Sequence, residues 1–235
     1  MHPDLSKLLD LQAKDSAIAE VDARIAGVDA DLAELDQELA RARGIRDTAQ
    51  RVADDGARRR DELETKIESY RQLQERRRQR LEFVRNSKDA STLMAEMDLA
   101  RSVLAKEESD WVRSADSVEA LQAKVEEEQR KMEGLEAEQV PRRASLASER
   151  AGLVSDREAL VQDREAAATL LDRGLRIRYD RLRRARATPV VVALNGDACG
   201  ACFTAIPRNR RSQIRAGAII EGCEACGVIL YAAES

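Results

Sequence analysis

The chain is poor in aromatic side chains, which make up 3% of its 235 residues: one Trp, three Tyr and two Phe. Aromatics dominate ordinary cores, so this deficit argues against a large spherical domain. Four prolines in the whole chain are too few to punctuate a fold of many short elements. There is a single histidine, His2, so no serine, threonine or cysteine has an imidazole base near a plausible site. No glycine-rich phosphate loop occurs. The Asp and Glu residues sit in helix-solvating positions rather than in apolar surroundings that would tune them as acids or bases. A non-enzymatic protein is expected. Long apolar runs and a signal-peptide pattern are also missing, and the expectation is a cytoplasmic protein without membrane contact. The first 198 residues hold no cysteine; all four lie later.

What the chain does have is charge and period. Charged residues reach 36%, yet the net charge is only -4. Between Ile18 and Ala42 the apolar positions are Ile18, Val21, Ile25, Val28, Leu32, Leu35, Leu39 and Ala42, alternating steps of three and four. Such a helix carries one narrow apolar seam and must bury it against another helix, as in a coiled coil. The first helix is expected from near Asp4 to about Phe83, with Gly27, Gly44 and Gly56 as soft points. The seam thins between 45 and 60, where Ile45, Ala49 and Val52 are the occupants, and the Arg76–Arg80 run reads as a solvated face. The polar stretch 84–91 interrupts the period and is the expected hairpin tip, with Ser91 as N-cap of the returning helix and Asn86 able to close the first.

The same period returns from Leu93 to Ala167. Trp111 falls on it as a core residue, and Pro141 is expected to kink or break the helix. The arms are of equal length, about 120 Å each at 1.5 Å per residue, which favours an antiparallel hairpin and a monomer over an extended dimer. Equal arms place Gly44 near Met132–Gly134 and Gly27 near Glu149–Gly152, giving close or flexible spots. A shorter helix should follow over 170–186, with Leu170, Leu171, Leu175, Ile177, Tyr179 and Leu182 as its apolar members, and end at Thr188–Pro189. The expected organisation is a mainly α chain: a coiled-coil hairpin over 1–168 with its tip at 84–91, a basic neck helix over 169–188, and a small cysteine domain over 189–235.

In that last part Cys199-Gly200-Ala201-Cys202 is followed twenty residues later by Cys223-Glu224-Ala225-Cys226. Two C-x-x-C knuckles bring four thiolates to one ion, the tetrahedral soft set that Zn²⁺ prefers. Strand-like text at 189–194 and 228–231 flanks them, Asn195-Gly196-Asp197 reads as a turn, and Pro207 opens a short helix with Ile206 and Ile214 facing inward. This is the pattern of a zinc ribbon. A thioredoxin-type redox pair needs one knuckle before a helix, and common iron–sulfur spacings differ. With four cysteines filling every position, one structural zinc per chain is expected.

Leu8-Leu9-Asp10-Leu11-Gln12, Asn86-Ser87-Lys88-Asp89, Tyr179-Asp180-Arg181-Leu182-Arg183, the two knuckles, Ile206-Pro207 and Gly227-Val228-Ile229-Leu230-Tyr231 together resemble the bacterial C4-type zinc ribbon family with a long N-terminal coiled-coil hairpin. The resemblance covers nearly the whole chain. It implies Cys199, Cys202, Cys223 and Cys226 as zinc ligands. Its flagellar member is a chaperone-like adaptor that interacts with an alternative sigma factor, an export-apparatus component and a flagellin transcript, so the resemblance implies a non-enzymatic adaptor whose partner is a transcription or export factor.

Charge supplies a second expectation. From Arg173 to Arg215 eleven arginines face two acids, Asp180 and Asp197. Arg173, Arg176, Arg181, Arg184, Arg208, Arg210, Arg211 and Arg215 are therefore the candidate partner-binding residues, displayed as one basic face. The expected partner is another protein; RNA binding through the same face is the alternative, and a plain structural spacer is a third reading.

Overall fold

A computed structural model describes residues 2–185 and 189–233. The end of the neck helix expected at Arg186–Thr188 lies outside the described residues. Element order is α1 (Pro3–Phe83), α2 (Ser87–Thr169), α3 (Arg173–Ala185), β1 (Val191–Asn195), β2 (Ala198–Cys199), α4 (Arg208–Arg215), β3 (Glu221–Gly222) and β4 (Ile229–Tyr231). The fold is mainly helical, with α1 and α2 packed along one another and a small C-terminal cysteine-bearing sheet. The residues group into two compact units, Ala33–Arg142 and Met1–Leu32 with Arg143–Ser235. Among the described residues no helix is long and apolar enough to cross a membrane.

In the 33–142 unit the seam runs without interruption where the sequence suggests thinning. On the three-and-four step the half-buried or buried positions are Ala42, Arg46, Ala49, Ala53, Gly56, Arg60, Leu63, Ile67, Tyr70, Gln74, Arg77 and Leu81, with Ala57 and Leu73 half-buried beside them. The step of three and four is kept, but arginine, glutamine and glycine occupy it. Ile45 and Val52, expected on the seam, point outward and are 56% and 47% exposed. The heptad geometry fixes which positions meet the partner helix, whatever their chemistry, and long arginine stems can cover apolar surface there. Gln139 is a polar seam residue of α2; it is buried, and its Nε2 donates to the Leu35 carbonyl at 3.2 Å and to Glu38 at 3.1 Å. Trp111 is half-buried in the seam, as expected.

The turn between the helices is three residues, 84–86. Asn86, not Ser91, caps α2: its Oδ1 accepts from the Lys88 N–H at 3.1 Å, and its carbonyl accepts from Ala90. Ser91 lies inside the helix. Pro141 also lies inside α2, which continues through it. Both Pro141 and Ala137, whose carbonyl the missing N–H would have served, are exposed, so water can take the acceptor.

The shaft glycines correct another expectation. A Cβ added at Gly27, Gly44, Gly134 or Gly152 would meet nothing within 4 Å, so these residues face open space rather than each other. Gly56 is the tight one: a Cβ there would lie 3.0 Å from Leu121 Cδ1 and 3.5 Å from Val118 Cγ2.

In the other unit the seam begins at Leu8 and Leu11, which are fully buried, and continues through Asp15 and Ile18. Three rungs cross between α1 and α2 at seven-residue intervals: Arg150 to Asp29 at 2.6 Å, Arg157 to Asp22 at 2.5 Å and Arg164 to Asp15 at 3.2 Å. The first two are half-exposed and contribute little each. The third is buried. After Leu171, α3 is capped by Asp172, whose Oδ2 accepts from the N–H groups of Gly174 and Leu175 at 2.8 and 3.2 Å. Leu175, Tyr179 and Leu182 form its inner face, while Leu170 and Ile177 are 65% and 52% exposed, contrary to expectation.

The sheet has the order β2-β1-β4-β3, with β1 and β4 parallel and the outer pairs antiparallel. Alternation splits it between two cores. Val191 and Ile229 join Leu5, Leu8, Leu11, Ala168 and Tyr179, whereas Val192 and Leu230 face Cys199, Ile206, Ile214, Cys223 and Val228. A sheet covered on both faces explains the uninterrupted apolar run around β1. Gln12 fastens it to α1: its Oε1 accepts from the N–H groups of Val190 and Val191 at 2.8 and 2.7 Å, and its Nε2 donates to the Val191 carbonyl at 2.9 Å.

Candidate metal centre

The two knuckles are built alike. In the first, which follows β2, the Phe203 N–H donates to the Cys199 carbonyl at 2.9 Å and the Cys199 N–H donates to the Thr204 carbonyl at 2.9 Å. In the second, which follows β3, Gly227 donates to the Cys223 carbonyl at 2.8 Å and Cys223 donates to the Val228 carbonyl at 2.8 Å. Each loop therefore returns its second cysteine to the side of its first. Gly200 is needed for the first: a Cβ there would collide with the Ala193 carbonyl oxygen on β1. Pro207 stands at the N-cap of α4 rather than at its first helical position, and it turns the chain so that Ile206 and Ile214 enter the core between the knuckles.

The four sulfurs converge. Cys199 Sγ lies 3.8 Å from Cys226 Sγ, Cys202 Sγ lies 3.5 Å from Cys223 Sγ, and all four are within 4.8 Å of one another. No pair is joined as a disulfide. A tetrahedron of thiolates at the usual Zn–S distance has edges of about 3.8 Å, so the set fits one ion. Cys199 and Cys223 are buried, Cys202 and Cys226 half-buried. The Thr204 hydroxyl, 3.3 Å from Cys202 Sγ, holds that thiol down at about 6, whereas burial pushes Cys199 up to about 11 and Cys223 upward as well. A dication would displace the protons of the buried pair and compensate charge that the apolar core cannot solvate. The cluster is geometrically compatible with a single structural Zn²⁺ held by Cys199, Cys202, Cys223 and Cys226.

No family model and no curated protein matches the sequence. Solved structures do match in fold. The CT398 protein of Chlamydia trachomatis is 18% identical with a TM-score of 0.71, and the match covers 96% of this chain and 99% of that one. HP0958 of Helicobacter pylori is 16% identical with a TM-score of 0.67, covering 98% of each chain. A Mycobacterium smegmatis protein is 22% identical with a TM-score of 0.70, covering 99% and 100%. At these identities the likeness is one of fold alone.

The candidate arginines divide into two groups. Arg210 is held by Glu221 at 2.5 Å, by Glu224 and by the Gly222 carbonyl at 2.8 Å. Arg211 pairs with Asp197, and Arg215 donates to the Gly196 carbonyl at 3.2 Å with Asp197 3.8 Å away. Arg176 pairs with Glu165 at 2.7 Å and with Asp180 at 3.7 Å. These four brace the fold. Arg173, Arg181, Arg184 and Arg208 are exposed and enter no ion pair among the described residues. The first three share an arc of about 80° on α3 at 100° per residue, opposite its apolar face. Arg186 lies outside the described residues.

A buried network beside the ribbon carries no signal in apolar periodicity. Asp15, 1% exposed, accepts from Tyr179 Oη at 2.8 Å and Arg164 Nε at 3.2 Å, and forms an ion pair with Arg183 Nε at 3.1 Å. Arg164, itself buried, also bonds Glu165 at 2.8 Å and Asp180. Burial, then the bond to Asp15, raises the Tyr179 phenol well above its usual range. The visible signal is an acid and a base on seam positions of opposite arms, where lone charges would be prohibitive and a matched pair fixes the register.

Proposed function

We propose that this chain is a non-enzymatic, cytoplasmic zinc-bearing adaptor that presents its ribbon, fastened to the base of a coiled-coil hairpin, to another protein. The observation that carries the reading is the way the ribbon is held. Its sheet shares a core with Leu5, Leu8, Leu11, Ala168 and Tyr179, and Gln12 hydrogen-bonds its β1 strand. A four-thiolate site of this kind leaves no coordination position for water or substrate, so the ion's role is to hold a surface. The exposed arginines Arg173, Arg181, Arg184 and Arg208 are the contacts offered to an acidic partner face. The resemblance to the bacterial C4-type zinc ribbon family, whose flagellar member engages a sigma factor and an export component, supports a transcription or export factor as that partner.

The same four arginines favour RNA as the second reading. Affinity capture with the full chain at low and high salt, with and without ribonuclease, separates them. A protein interface with an apolar centre survives high salt, whereas RNA binding falls steeply with salt. Ribonuclease-sensitive capture alone overturns the adaptor reading.

A further inference from the structure

The two knuckles, alike in hydrogen bonding, differ in the residue that follows the second cysteine. Gly227 follows the second cysteine of the second knuckle, has φ of 76°, and packs so that a Cβ would touch Leu182 of α3 at 3.4 Å. Its counterpart in the first knuckle is Phe203, with φ of 57°. Bulky L-residues avoid this region because Cβ crowds the backbone, and glycine is the residue that the geometry calls for. Phe203 is also 69% exposed; the other phenylalanine, Phe83, is 82% exposed but ends α1 and carries no positive φ. It thus fills, with a bulky side chain, the positive-φ position that the knuckle turn requires, and leaves its aromatic ring in water. The turn accounts for the positive φ but not for the phenylalanine: a bulky ring left in water where glycine would serve points to a function outside the fold.

We propose that Phe203 is the anchor by which the ribbon docks, its ring seating in an apolar pocket of a protein partner while Arg208 meets a carboxylate at the pocket's rim. This rests on the adaptor reading and names its contact. A nucleobase is the poorer occupant. Stacking sites combine several aromatics with bases that track a phosphate chain; here Tyr179 is buried, Tyr231 half-buried, and Arg210, Arg211 and Arg215 are held by Glu221, Glu224, Asp197 and the Gly196 carbonyl. An exposed aromatic in the ribbon with one unpaired guanidinium five residues on, at the start of α4, is the composition of an interface hot spot.

The test uses the full, zinc-loaded chain in its native host, with photoreactive p-benzoylphenylalanine at position 203 and, separately, at position 181 on α3. Position 203 should give one discrete adduct that resists ribonuclease, is digested by protease and is lost in the Arg208→Glu background. The protein so identified is then purified and titrated against wild type and Phe203→Gly. The glycine variant should keep its zinc, melt about 2–4 °C higher through relief of the backbone, and bind about 30-fold more weakly or worse. A ribonuclease-sensitive adduct, or equal affinity of Phe203→Gly and wild type, overturns the proposal. If position 181 captures a protein and position 203 does not, the adaptor reading stands and the Phe203 anchor falls. If neither position captures a protein, both fall.

Discussion

The hydroxyl of Tyr179 donates a 2.8 Å hydrogen bond to Oδ2 of Asp15 across 164 residues of chain. That bond ties the neck helix to the first helix at the level where Arg164 of α2 also meets Asp15, so three helices share one buried carboxylate. Removing the carboxylate takes the acceptor from the buried Tyr179 hydroxyl and one of the three carboxylate partners from the buried Arg164 guanidinium. Asp15→Ala should cost about 3–5 kcal/mol, whereas Tyr179→Phe should cost about 1.5–3 kcal/mol, the range for a bond to a charged acceptor. Denaturant unfolding of each variant gives the comparison. Equal, negligible losses would mean that the network is not formed in solution.

The same bond has a pH signature. Tyr179 has its phenol pKa raised in the folded state above the usual 10. Its contribution is therefore complete below pH about 10 and is lost as pH climbs beyond it, because only the unfolded chain readily ionises there. Stability measured from pH 8 to 11 should fall more steeply for wild type than for Tyr179→Phe. Parallel curves would contradict the assignment.

Metal removal should act on one part of the chain. Structural zinc commonly supplies on the order of 10 kcal/mol, more than a core as small as that around Val192, Ile206, Ile214 and Leu230 can provide alone. Elemental analysis should find one zinc per chain. Cys223→Ala should lose it, with amide exchange rising throughout β1–β4 while the helical signal of α1 and α2 remains. Iron with visible absorption would refute the zinc assignment.

Much of this is legible in the residues. The seam from Ile18 to Ala42, the knuckle spacing, and Ile206 and Ile214 as the ribbon's inner residues all follow from period and spacing that survive in three dimensions. The misses share a cause. Ile45 and Val52 read as seam residues because they are apolar, whereas Arg46, Ala53 and Gly56 lie there because the heptad puts them there. Asp15, Arg164 and Gln139 escape notice for the same reason, since a buried polar pair can be recognised only when both partners are placed. As a residue type Ser91 is as good a cap as Asn86, and only the turn length decides between them.

Spacing along the pair can be checked directly. Spin labels at Leu32 and Ala144 should lie within about 20 Å, the packing distance of two helices plus label reach. A separation above about 40 Å in a monomeric sample would mean that the two helices are not paired at this level.

Glycine substitutions should separate open positions from close ones. Gly27→Ala faces nothing within 4 Å and should stabilise by about 1 kcal/mol through helix propensity. At Gly56 the same change presses on Leu121 Cδ1, 3.0 Å away, so the gain should shrink or reverse. Paired thermal melts will show the difference; identical shifts would place Gly56 outside the contact.

Gln12 bonds Val191 across 179 residues, and Leu5, Leu8 and Leu11 are covered in part by strands from the far end of the chain. On the ribosome this ordering is a delay. At about 5–20 residues per second, the leucines at the start wait some ten to forty seconds before the strands that shelter them are made. Over that interval they are a greasy stretch in search of cover, and a nascent chain arrested short of β1 would keep them so. Residues made about 180 to 220 positions later close over Leu5, Leu8 and Leu11, so emergence of the ribbon strands is the event that conceals these leucines.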